Sequence, residues 1–256
     1  MTGVHFIYDG SFEGFLTCVF EAYQYKQTQV QFQRKHSVQQ LLFAEGSHLD
    51  TDPIKADRVW KGLTKKLSRS GVRQIYFGFL SDMDGVEELL FDYIVKVFST
   101  DTSIETNFSD ATVLKLSNIV KQVGREKHRM EAFVRFKLTK DGWYFANIEP
   151  DFNVLPIIAT HFKQRYADQR WMIYDIKRKY AIVYNLDDVE FVTMEFNKDL
   201  EFTKTDGAFF AKEELEFQEL WKNYFNSSNI KSRKNLKLHT RHIPKRYWKY
   251  LSEKQP

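Results

Sequence analysis

Met130-Glu-Ala-Phe-Val-Arg-Phe-Lys-Leu-Thr-Lys-Asp-Gly-Trp-Tyr-Phe-Ala-Asn-Ile-Glu149 is the stretch that decides the fold class. Met130, Ala132, Val134, Phe136 and Leu138 alternate with Glu131, Phe133, Arg135 and Lys137, the period-two pattern of a half-buried strand. Lys140-Asp-Gly142 then marks a turn, and Trp143 to Glu149 reads as a second strand. A three-residue loop with a left-handed Gly142 pairs Leu138 with Tyr144, Phe136 with Ala146 and Val134 with Ile148 on the core face. A two-residue loop would set Phe136 against Asn147 and mix the faces.

Outward from this hairpin, Pro156 opens a helix striped by Leu155, Ile158, Ala159, Phe162 and Tyr166. Trp171–Tyr174 and Tyr180–Tyr184 read as a second hairpin turning at Lys177-Arg178, and Val189–Phe196 as a further strand. Leu215, Phe217, Leu220, Trp221, Tyr224 and Phe225 mark a late helix. Toward the N-terminus, Val4–Tyr8 reads as a strand, followed by Asp9-Gly10-Ser11 and a helix capped by Ser11 or Asp9. Val38–Phe43 suggests a strand and Pro53–Arg69 a helix, and Val72–Leu80 is an apolar, aromatic run. Val86 to Phe98 is an amphipathic helix, Asp101–Asn107 is a loop, and Val113 to Val123 is a helix ending near Gly124. The expected fold is α+β: a helical N-terminal part with a few strands, an antiparallel sheet near 129–196, and a helical basic C-terminus. We expect a single domain over 1–256, with a possible subdivision into 1–125 and 126–256.

The 256 residues suffice for a substantial core. A charged fraction of 28% with few Pro and Gly argues against disorder. A single cysteine, Cys18, excludes an internal disulfide and any all-cysteine zinc or iron–sulfur site within one chain. Neither a leader pattern nor an 18-residue apolar run is present, so the expectation is a soluble, cytoplasmic protein.

Net charge is only +4, yet Lys222 to Lys254 holds ten Lys/Arg against the single carboxylate Glu253. Within His239-Thr-Arg-His-Ile-Pro-Lys-Arg-Tyr-Trp-Lys-Tyr-Leu251 cations interleave with aromatics. Arg233, Arg241, Lys245, Arg246 and Lys249 are candidate phosphate contacts, with Tyr247 and Trp248 as stacking groups or core anchors. Pro244 starts a short helix on which Tyr247 and Leu251 share a side. His239 and His242 have a chelating spacing, but nothing nearby in sequence completes a four-ligand site, and no metal or cofactor is expected.

Extending the hairpin ladder brings Glu131 level with Asp151. Facing carboxylates repel unless a cation sits between them, an arrangement suited to acid–base chemistry. His161 and Arg165 lie one turn apart on the helix after Pro156, and with Arg129, Arg135 and Asp168 they are candidates for a polar cleft. Asp175 and Arg178 bracket the second hairpin turn as a stabilising pair. The Walker, dinucleotide, GxSxG and HExxH motifs are all missing from the sequence.

Three blocks carry a resemblance. They are Tyr8-Asp-Gly-Ser-Phe-Glu-Gly-Phe-Leu-Thr-Cys-Val-Phe-Glu-Ala22; His128-Arg-Met-Glu-Ala-Phe-Val-Arg-Phe136 through Pro150-Asp-Phe-Asn-Val-Leu-Pro156 to His161-Phe and Asp168-Gln-Arg-Trp171; and Pro244-Lys-Arg-Tyr-Trp248. Together they resemble a bacterial family of DNA metabolism or repair proteins built on a domain of unknown function. That domain occurs alone or ahead of a uracil-DNA glycosylase-like domain, with a radical SAM protein as its usual companion. The resemblance implies a DNA-related role beside that partner and carries over no catalytic residues. Three functions remain open: a DNA-binding accessory protein in repair or modification, a DNA- or nucleotide-processing enzyme using Glu131, Asp151 and His161, and a protein-interaction module. RNA offers the same phosphates and stacking faces as DNA.

Overall fold

The computed structural model describes residues 4–35, 46–194, 210–211, 214, 240 and 243–251. The chain divides into two compact units, Met1–Gly124 and Arg125–Pro256. The predicted strand at Val38–Phe43 and the predicted helix at Leu215–Phe225 lie outside the described residues.

In the first unit, β1 (Val4–Tyr8) is the centre of a parallel three-stranded sheet, flanked by β2 (Val30–Arg34) and β3 (Ser47–His48). A parallel pair needs a crossover, and α1 (Phe12–Gln24) supplies it between β1 and β2. Ser11 caps α1, its Oγ accepting from Gly14 N at 2.9 Å. Asp9 accepts from the Ser11 amide at 2.9 Å and its hydroxyl at 2.7 Å, so a carboxylate already sits at this helix start. Burial opposes the Asp9 charge, but the hydrogen bonds from Ser11 and Thr51 outweigh it and hold its pKa below the ordinary value.

Three more helices follow in the unit: α2 (Pro53–Lys66), opened by Asp52 as cap and by Pro53, α3 (Arg69–Phe79), capped by Ser68, and α4 (Val86–Ser99). The apolar run Val72–Leu80 is thus mostly helix. Phe15, Phe32, Phe79 and Phe91 interlock in the core, with ring centres 5.3–5.8 Å apart between successive partners.

The next helix corrects the sequence reading. α5 runs Ala111–Phe133, through Gly124 rather than ending there. Met130 and Val134, read as alternating strand positions, are also four apart, and with Val123 and Glu126 they continue a buried helical stripe. Gly124 costs such a helix only about 1 kcal/mol, which its neighbours Lys, Gln, Arg and Glu tolerate.

The second unit holds a five-stranded sheet in the order β4-β5-β6-β7-β8. Its strands are β4 (Lys137–Leu138), β5 (Tyr144–Ile148), β6 (Trp171–Asp175), β7 (Tyr180–Tyr184) and β8 (Val189–Thr193). The predicted pairing of Leu138 with Tyr144 is present, and Gly142 closes the loop at φ +79°. The ladder stops there, so the expected pairs Phe136–Ala146 and Val134–Ile148 do not form. Antiparallel pairing joins β4–β5, β6–β7 and β7–β8, whereas β5 and β6 are parallel, connected through α6 (Leu155–Arg165). Trp171 and Phe162 are both buried and pack between α6 and the sheet, 6.1 Å apart. A short 3-10 helix spans Lys245–Tyr250 after Pro244. The fold class is α+β, as the sequence predicts.

Candidate functional site

The second unit holds a buried carboxylate that the sequence reading did not single out. Glu126, on α5, is 1% exposed. It accepts from Tyr247 Oη at 2.5 Å, from Arg246 at 2.9 Å and from the backbone N–H of Asp151 at 3.0 Å, with Arg129 at 3.6 Å. Asp151 also pairs with Arg246 at 2.6 Å. Segments far apart in sequence, α5, the Pro150–Val154 loop and the Pro244–Trp248 block, are therefore tied together through one acid. Its signal in sequence was the Glu126–Arg129 spacing of three on a helix.

Next to it, Lys249 and Tyr250 both bond the Glu149 carboxylate, at 2.5 and 2.6 Å. The Lys249 ammonium, with Tyr250, holds the Glu149 carboxyl below the ordinary value of 4.5. Arg178 reaches from the β6–β7 turn to the carbonyls of Pro150 and Asp151, and pairs with buried Asp175 at 2.9 Å. The expected Asp175–Arg178 turn pair is present, and it also clamps the neighbouring loop. Burial pushes the Asp175 pKa up against the pull of Arg178.

The proposed facing of Glu131 and Asp151 across a strand ladder is overturned. Glu131 lies on α5, and the β4–β5 ladder is two residue pairs long, because the helical stripe outcompetes the alternation. Glu131 instead pairs with Lys127, and lies 3.9 Å from His161 Nδ1 on α6. Asp151 turns to Arg246.

The four remaining cleft candidates have separate settings. Arg129 sits beside Glu126. Arg135 donates to the carbonyls of Ala132 and Val134, near the end of α5. The Arg165 guanidinium lies 5.7 Å from the Tyr166 ring centre, and Asp168 is exposed in the turn before β6.

Of the C-terminal candidates, Arg233, Arg241, His239 and His242 lie outside the described residues. Tyr247 is 2% exposed and spends its hydroxyl on Glu126, so it is a core anchor and not a stacking group. Burial, then Glu126, pushes its pKa up. Trp248 is half-buried and donates to the Ile243 carbonyl at 2.9 Å. Lys245, Arg246 and Lys249 project on the exposed side, the last two also in ion pairs. Among the described residues, no three His, Cys, Asp or Glu side chains are grouped to hold a metal, and no helix is long and apolar enough to cross a membrane.

Residues 84–253 match DUF4130, a domain of unknown function. The chain belongs to that family. The match takes in the whole network around Glu126. Among curated proteins none shows significant sequence similarity to the chain. One similar solved structure is the pGpG-specific phosphodiesterase PggH from Vibrio cholerae, at 11% identity and a TM-score of 0.35 over 72% of this chain and 81% of that one. A likeness at that score carries no argument about fold or function.

Proposed function

We propose that this DUF4130 protein is a DNA-binding accessory protein in repair or modification, working beside a radical SAM enzyme and in some settings a uracil-DNA glycosylase-like protein. The observation that supports it best is the Lys245–Tyr250 helix. Tyr247 and Leu251 anchor it in the core, while Lys245, Arg246 and Lys249 stand exposed along a fixed ridge. Cations held in register on a rigid element meet successive phosphates without first losing much conformational freedom. Arg246 and Lys249 already neutralise Asp151 and Glu149, so a phosphate competes with those carboxylates at the surface. Lys245 has no ion-pair partner among the described residues and adds its full charge.

Fluorescence anisotropy with labelled single- and double-stranded 20-mers tests the reading. Binding at about 50 mM salt that weakens steeply as salt rises is expected; no binding of either strand at that salt rejects it. Co-expression with the radical SAM companion and capture of a complex tests the accessory role.

The closeness of Glu131 and His161 favours one rival, a hydrolytic enzyme with His161 as proton carrier. Turnover of nucleotides or DNA that is abolished in His161→Ala and Glu131→Gln would establish it.

A further inference from the structure

We infer that the groove between α1, α2 and α3 of the first unit binds one nucleotide, free or as an unstacked residue of a strand, whose base carries an amino group. The groove has a volume of about 590 Å³, within the size range of small-molecule sites, roughly 300–1,000 Å³. Phe12, Trp60 and Tyr76 supply its aromatic lining. Phe12 meets Trp60 edge-on at 5.5 Å and Tyr76 at 5.2 Å, which fixes both rings while each stays part-exposed. Fixed, part-exposed rings of this kind are what bases stack on.

Three of the four charges around the rings are in no ion pair among the described residues. Arg69 and Arg73, one turn apart on α3, are exposed and in no ion pair among the described residues, and Arg73 is steadied over the Phe77 ring at 5.0 Å. Glu13, on the first turn of α1, is exposed and likewise in no ion pair among the described residues, and its charge is near enough to raise the Tyr76 hydroxyl pKa behind the effect of burial. The other acid at the rim, Asp57, is neutralised by Lys61 at 2.6 Å. Two unpaired guanidiniums call for an anion, and planar guanidinium forks suit phosphate. An unpaired carboxylate beside aromatic rings calls for N–H donors, which the exocyclic amino group of guanine, cytosine or adenine supplies, whereas thymine's exocyclic groups are oxygens and a methyl and leave only its ring N3–H to donate. The groove is lined by residues of the first unit alone, and the inference stands or falls independently of the reading of the Lys245–Tyr250 helix.

Isothermal titration calorimetry on the full chain, with dGMP, dAMP, dCMP, dTMP, deoxyguanosine and inorganic phosphate, tests this inference. Amino-bearing nucleotides are expected to bind, with deoxyguanosine and the Arg69→Ala/Arg73→Ala variant each weaker by about tenfold or more, the scale of one lost charge-assisted hydrogen bond. Glu13→Gln should narrow the preference over dTMP. Both variants alter exposed side chains, and an unchanged Tm confirms that they fold. A ten-residue strand that binds more tightly than the monomers, and is weakened by the same arginine variant, identifies a strand as the source; equal affinities identify the free nucleotide. No heat with any nucleotide at millimolar concentration, heat from phosphate alone equal to that from dGMP, or binding unchanged in the double arginine variant overturns the inference.

Discussion

At the scale of single residues, Glu126 governs the second unit. A carboxylate with 1% exposure is tolerable only because Tyr247, Arg246 and the Asp151 amide all face it. Tyr247→Phe keeps the ring and deletes one bond to that charge. It is expected to lower unfolding free energy by about 1.5–3 kcal/mol, measured by urea denaturation. Gly124 makes the opposite case. It lies inside α5, and a Cβ there meets nothing within 4 Å. Gly124→Ala should therefore stabilise by about 0.5–1 kcal/mol, visible as a raised Tm, since only the backbone entropy of glycine is removed.

At the scale of elements, the Lys245–Tyr250 helix is held by bonds that acid breaks. The folded-state pKa of Glu149 is lowered, so the ionised carboxylate contributes stability above the ordinary value of 4.5, and that contribution is lost as pH falls through the lower folded value. Lys249→Met removes the main cause of the shift, so the acid-sensitive contribution should shrink and what remains should be fully lost at a higher pH. Hydrogen exchange at 245–250 across an acid titration measures both. Elements also show what the sequence disclosed. Ser11 and Gly142 act within a few residues of themselves, and the cap and the loop they predict are present. Residues 130–138 fitted two periods at once, and the packing of Met130 with the rest of the α5 stripe decided for helix as far as Phe133, while Lys137-Leu138 kept the strand. Glu126 and Tyr247 are 121 positions apart, and no local pattern announces such a pair. The groove residues were missed for the same reason. Their trace was present, however, as Ala56 and Trp60 on one face of α2 and Arg69, Arg73 and Tyr76 on one face of α3.

At the scale of the whole molecule, each unit carries its own candidate site. The described part of the basic segment is anchored in the core through Tyr247 and Leu251, so neutralising the segment indiscriminately would confuse folding with binding. Arg246→Ala strips a partner from buried Glu126 and should destabilise as well as weaken DNA binding. Lys245→Ala touches no described ion pair and isolates the electrostatic contribution. The most direct test of the account is therefore the salt dependence of single-stranded DNA affinity for wild type and Lys245→Ala, by anisotropy. A steep negative log–log slope is expected in the wild type, flattened by about 0.7 in the variant, with Tm unchanged. Identical slopes for the two proteins, or an affinity indifferent to salt, would contradict it.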